Sequence, residues 1–155
     1  MEFKNANELL ALCEEKNLPV SEIMRIREIE FGETTSEIVN KKMTRVLEIM
    51  KDAAFSPIRQ PIKSMGGLIG GEARKLSLHA QEKRGLCGEL LQKAVTYAMA
   101  TLETNASMGL IVASPTAGSA GIVPGLLLAM QEHYDFSDEE IIQVLFNASA
   151  IGYLA

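Results

Sequence analysis

The stretch Asn105-Ala106-Ser107-Met108-Gly109-Leu110-Ile111-Val112-Ala113-Ser114-Pro115-Thr116-Ala117-Gly118-Ser119-Ala120-Gly121-Ile122-Val123-Pro124-Gly125 restricts this chain more than any other. An apolar run, Leu110 to Ala113, is expected to carry the backbone through buried surroundings. A turn of small residues follows, and Pro124 opens a second apolar segment. Pro115 fixes φ at about −65°, Gly118 and Gly121 are free to take φ > 0, and methyl-sized neighbours leave room for another molecule against the backbone. Successive amides in such a turn, continued into a helix start, form a concavity that favours anions. A carboxylate or a phosphate is the ligand class this implies.

The stretch is not a P-loop, because no Gly-Lys-Ser/Thr ends it, and it does not match the dinucleotide Gly-x-Gly-x-x-Gly fingerprint. The competing reading is purely structural. Small residues also permit two buried helices to pack closely through a tight connection.

One hundred and fifty-five residues with 47% hydrophobic content fit one globular domain with a sizeable core. A net charge of −5 and a pI near 5.1 argue against nucleic-acid or anionic-membrane partners, which require clustered Lys and Arg. The N-terminal residues Met1 to Asn5 lack the apolar core of a secretory signal, and no run of eighteen apolar residues occurs. A cytoplasmic location is expected. Cys13 and Cys87 show no CxxC or Cys/His spacing and are expected to be thiols in a reducing compartment.

Helical periodicity runs through the chain. Asn7 to Lys16 carries Leu9, Leu10, Leu12 and Cys13, with Pro19 as its stop. Ser21 is expected to cap a second helix that Gly32 closes. Thr34, with Glu37 three residues on, predicts a capped third helix broken at Ser56-Pro57 and Gln60-Pro61. Two glycine pairs, Gly66-Gly67 and Gly70-Gly71, then feed a polar helix running to about Lys83, whose start is a second candidate anion site involving Gly70, Gly71 and Lys75. After Gly85 and Gly88 a longer helix leads to the central stretch. Val123 to Met130, apolar on all sides, predicts a buried helix. Ser137 and Glu140 have capping-box spacing ahead of a last helix that meets no stop signal before Ala155. The expectation is an all-α, single compact domain of seven or eight helices, spanning residues 1–155, with a glycine-rich loop between buried helices.

His79 and His133 fall on polar helix faces and are expected at the surface. Lys75 and Lys93 show no surrounding pyridoxal phosphate motif. Ser107, Ser114, Thr116 and Ser119 could hydrogen-bond a substrate, but no base is visible to make any of them a nucleophile. Asn105 offers a donor and an acceptor beside the turn. The catalytic base stays unassigned.

Asn105-Ala106-Ser107-Met108-Gly109, followed by Pro115-Thr116-Ala117-Gly118-Ser119-Ala120-Gly121-Ile122-Val123-Pro124, resembles the hallmark of the iron–sulfur L-serine dehydratases in their α chain. Gly70-Gly71-Glu72-Ala73-Arg74-Lys75-Leu76 resembles that family's Gly-Gly-Asp-Ala-x-Lys-Leu motif, with Glu in place of Asp. The resemblance covers the whole sequence.

It implies deamination of L-serine to pyruvate and ammonia, with an oxygen-sensitive 4Fe-4S cluster in place of pyridoxal phosphate and one iron acting as a Lewis acid on the serine hydroxyl. Carried onto this chain, Thr116, Gly118, Ser119 and Gly121 would hold the substrate carboxylate or line the cluster pocket, with Asn105 alongside. The family's cluster cysteines lie further along the α chain, so the resemblance implies no metal ligand among these residues. It implies as partners L-serine, the remainder of the α chain and a β chain. A subunit inactive alone is the expectation, with self-association through uncovered apolar surface as an alternative. Without the resemblance, a non-catalytic helical module binding a small carboxylate through the Pro115–Gly121 turn remains open.

Overall fold

A computed structural model describes residues 1–82, 87–114 and 116–155. Pro115, Lys83 and Gly85, each used in the expectations above, lie outside the described residues. Seven helices occur among those described: α1 (Ala6–Lys16), α2 (Val20–Phe31), α3 (Ser36–Arg59), α4 (Glu72–Glu82), α5 (Glu89–Ala106), α6 (Ile122–Tyr134) and α7 (Asp138–Leu154). The all-α class is as the periodicity requires, and no strand occurs among the described residues. The helices group into two compact units, Met1–Arg45 with Ser137–Ala155, and Val46–Phe136.

Several helix ends differ from expectation for local reasons. Ser21 does not cap α2. Pro19 occupies that position, and Ser21 is buried in the first turn. The third helix starts one residue later than Thr34 suggests, because Thr35 Oγ1 accepts the Ile38 amide at 3.4 Å. Pro57 does not break α3, which continues to Arg59. Proline removes the amide that would bond the carbonyl four residues back. That carbonyl, Ala53 O, instead accepts the Thr104 hydroxyl of α5 at 2.9 Å. The helix then ends at Arg59, leaving Gln60, the residue before Pro61, outside it, in line with proline's steric restriction on the residue that precedes it.

In the first unit, Phe3, Leu9, Ile23, Met24, Val39, Phe146 and Ala150 form a buried core. Arg27 is buried beside it, its guanidinium 3.8 Å from the centre of the Tyr153 ring. Ser137 and Glu140 make the full capping box that opens α7.

The second unit contains the residues of interest. Its core is rich in alanine, including Ala53, Ala54, Ala73, Ala94, Ala100, Ala120 and Ala129, which lets helix axes approach closely. A Cβ at Gly121 would meet Ala98 O at 2.5 Å, and one at Gly125 would meet Ala94 O at 2.8 Å. Glycines four apart on α6 and its cap therefore fit over alanines four apart on α5. This is the close-packing role that the small residues left open. The segment Val123 to Met130 is not buried on all sides: Pro124, Gly125, Leu128 and Ala129 are, while Leu126 is half exposed. The buried face of this segment is the one packed against α5.

Candidate functional site

The central stretch begins where α5 ends. The Met108 amide donates to Asn105 O at 3.0 Å and the Gly109 amide to Thr104 O at 2.8 Å. These two bonds form a Schellman closure, with Met108 in the left-handed conformation at φ 63°. The described residues between Gly109 and Gly121 form no helix or strand. Leu110 is exposed rather than buried, and so is Ala113. An irregular run of this kind lacks the ladder or helix bonds that buried backbone needs, so it stays at the surface.

Asn105 holds the turn in place, its side-chain amide donating to Ala117 O at 3.0 Å. Within the turn, Thr116 Oγ1 and Ser119 Oγ are 3.0 Å apart, and Thr116 Oγ1 also accepts the Ser119 amide at 3.3 Å. The Ala120 amide donates to Ala117 O and the Ile122 amide to Ser119 O. Asn105, Thr116, Gly118, Ser119 and Gly121 are thus brought into one turn, with Thr116 and Gly118 exposed and Ser119 half-buried. Neither glycine uses a positive φ. Gly121 lies at φ −82°, ψ −20°, and Gly118 is absent from the left-handed region. Gly121 is small because α5 is close, not because the backbone turns left-handed there. The turn can offer hydroxyls and backbone amides at the start of α6, the groups that bind a carboxylate.

At the start of α4, Gly70 has φ 147°, and a Cβ there would meet Ile62 O at 2.2 Å, so only glycine fits. Glu72 accepts the Gly70 amide at 2.6 Å, and Glu103 of α5 accepts the Ala73 amide at 2.8 Å. The chain's own carboxylates occupy these amides. The Gly70 amide, followed by that of Glu72 itself, holds the Glu72 carboxyl below its ordinary range, with smaller pulls from Glu103 and Lys75. Lys75 is exposed, and its amide donates to Gly71 O.

Glu103 is the residue that sequence reading missed. It is 1% exposed, and its Oε2 has no hydrogen-bond partner. Its position three residues after Ala100 and six after Tyr97 places it on the buried stripe of α5, a signal visible in the sequence. A separate cleft of about 670 Å³ lies between α4 and α5, lined by Ser77, Gln81, Gln92, Lys93, Thr96 and Tyr97. It contains no residue of the turn. There Tyr97 donates to Glu132 at 2.6 Å, and Lys93 pairs with the same oxygen at 2.9 Å. Burial, then Glu132, pushes the Tyr97 phenol well above its ordinary value.

Both histidines are exposed. Cys13 is a half-buried thiol and Cys87 an exposed one. Among the described residues no three His, Cys, Asp or Glu side chains gather in a way that could hold a metal ion. The described residues do not fit a 4Fe-4S cluster. No helix among the described residues is long and apolar enough to cross a membrane.

Residues 15–155 match the family described as serine dehydratase alpha chain. The chain belongs to that family. It is 40% identical over 152 residues to the probable L-serine dehydratase alpha chain of Bacillus subtilis, covering 98% of this chain and 50% of that one. It is 34% identical over 150 residues to the L-serine dehydratase alpha chain of Peptoniphilus asaccharolyticus, covering 97% and 51%. An L-serine dehydratase of Helicobacter pylori is 31% identical over 159 residues, covering 99% of this chain and 34% of that protein. The chain therefore spans about half the length of the α chains it matches. Both the Thr116–Gly121 turn and the Gly70–Leu76 segment fall inside the family match.

Proposed function

We propose that this chain is the substrate-binding half of an L-serine dehydratase α chain, acting in the conversion of L-serine to pyruvate and ammonia. The observation that carries the reading is the turn itself: a family-matched segment in which Asn105 fixes Ala117 while Thr116 and Ser119 present paired hydroxyls at the start of α6. The serine carboxylate would bind to Thr116, Gly118 and Ser119, where hydroxyl and amide donors meet the positive end of the α6 dipole. Asn105 acts through the turn, keeping its backbone in the shape that receives the carboxylate. Holding the carboxylate orients the α proton and the hydroxyl for their loss, which is catalysis by positioning. The 4Fe-4S cluster and the β chain belong to the complete enzyme, and the ligands of the cluster would come from outside these residues.

The test is an amide chemical-shift titration of the chain with L-serine. Movement centred on Gly118, Ser119 and the Asn105 side chain is expected, and the methyl ester of L-serine, which lacks the carboxylate charge, should leave those signals in place. Shifts confined to the cleft around Lys93, or equal responses to acid and ester, would remove the turn from the role proposed for it.

A further inference from the structure

Two loops meet where α5 ends in the second unit. The Met65 amide donates to Ala106 O at 3.4 Å, two residues before Met108. The first loop is a compact turn, in which the Ser64 amide donates to Ile69 O and the Gly67 amide to Ser64 O. On these loops Met65, Leu68, Met108 and Leu110 are 82%, 91%, 78% and 64% exposed. Single exposed apolar side chains are ordinary, but several on adjoining loops mark an interaction surface.

Met108 supplies an independent observation. Its left-handed conformation crowds the Cβ of an L-residue against the following carbonyl, and glycine normally takes this position of a Schellman closure. Here the glycine comes one residue later, at Gly109, where a Cβ would meet Thr104 Cγ2 at 2.7 Å. The strained position is left to a residue whose large apolar side chain faces solvent. Among the described residues Asn17, Glu33 and Asp135 also take positive φ, but these are polar, and Met108 is the one apolar side chain held in this conformation. A third observation is length, because the two α chains matched over nearly all of this sequence are about twice as long.

We propose that this apolar edge, formed by Met65, Leu68, Met108 and Leu110, is the docking face for the half of the α chain that lies outside the matched region of those relatives. The inference rests on the family reading given above and adds to it the surface through which the halves meet. The edge adjoins the Asn105-anchored turn, so docking there would cover the site and shield it from water.

The test is co-expression of this chain with the complementary half of the Bacillus subtilis α chain, each tagged differently, with affinity read on the purified pair. Equimolar co-purification is expected. L68E and L110E should weaken it roughly ten-fold or more, as charges do in the desolvated centre of an interface. M108G removes the side chain and relieves the strain, so it should raise the unfolding midpoint of the chain while weakening the pair. That combination cannot come from misfolding. Co-purification indifferent to all three substitutions would overturn the proposal, as would failure of the pair to form. So would self-association of the chain that L68E abolishes, which would make a second copy the occupant. Pyruvate release with a β chain added to the pair separates the two readings: a pair that depends on this edge but makes no pyruvate in that complete set counts against the function alone, and an active set indifferent to L68E counts against the edge alone.

Discussion

The Thr104 hydroxyl donates to Ala53 O, the one carbonyl of α3 that Pro57 deprives of its helical amide. This bond allows a helix to pass through a proline that would otherwise break it. T104V should cost about 1–3 kcal/mol, because it leaves a buried acceptor without a partner, whereas T104S should cost less. P57A returns the missing amide, so T104V should cost clearly less in a P57A background. Urea unfolding of the four proteins in a double-mutant cycle measures this, and additivity would mean that the two residues are not coupled.

Gly121 and Gly118 should respond differently to alanine. At Gly121 the new Cβ would press on Ala98 O, a backbone atom that cannot rotate away, and a loss of about 1–3 kcal/mol is expected for such overpacking. At Gly118 the nearest atom would be Thr116 Oγ1 at 3.9 Å, so G118A should leave stability nearly unchanged. Thermal unfolding of both variants decides it, and equal losses would contradict the packing assigned to Gly121.

E103A should free the Ala73 amide and loosen the start of α4. Hydrogen exchange at Ala73 should accelerate, with a global loss of about 1–3 kcal/mol, the usual cost of an unsatisfied buried donor. E103Q keeps an oxygen for that amide and should protect it. If exchange at Ala73 is the same in wild type and E103A, Glu103 does not cap α4.

The Glu140 carboxyl lies below its ordinary value because the Ser137 amide, then the Ser137 hydroxyl, donate to it. A lowered folded-state value means that the unfolded chain takes up the proton first as pH falls. The stabilisation is therefore complete above the unfolded carboxylate range and is lost as pH drops through the folded value. Glu72 acts in the same direction. E140Q should flatten the acid limb of a plot of urea midpoint against pH. An unchanged limb would show that the capping box contributes nothing through its charge.

Helix class and most boundaries were legible because the apolar period is regular and caps such as Ser137 act within four residues. What stayed hidden depended on distant contacts. Pro57 gave no sign that Thr104, far along the chain, would take over its lost bond. The apolar character of Leu110 suggested burial, yet nothing local could show that its segment would lack a ladder or helix and remain at the surface. Gly121 looked like a conformational device, and only the proximity of Ala98 shows it to be a steric one. The turn's residues were legible as a group because they are contiguous. Glu103 was passed over because its partner, Ala73, lies thirty residues earlier.

The most direct measurement is pyruvate release from L-serine by an anaerobically prepared complex of this chain with the complementary half of the Bacillus subtilis α chain and a β chain, with each component also assayed alone. Pyruvate should appear only with the complete set, and a T116V/S119A chain should lower kcat/KM by roughly ten-fold or more, as loss of substrate-positioning bonds does. Full activity with T116V/S119A, or pyruvate from this chain alone, would contradict the account of these residues as the substrate-binding half.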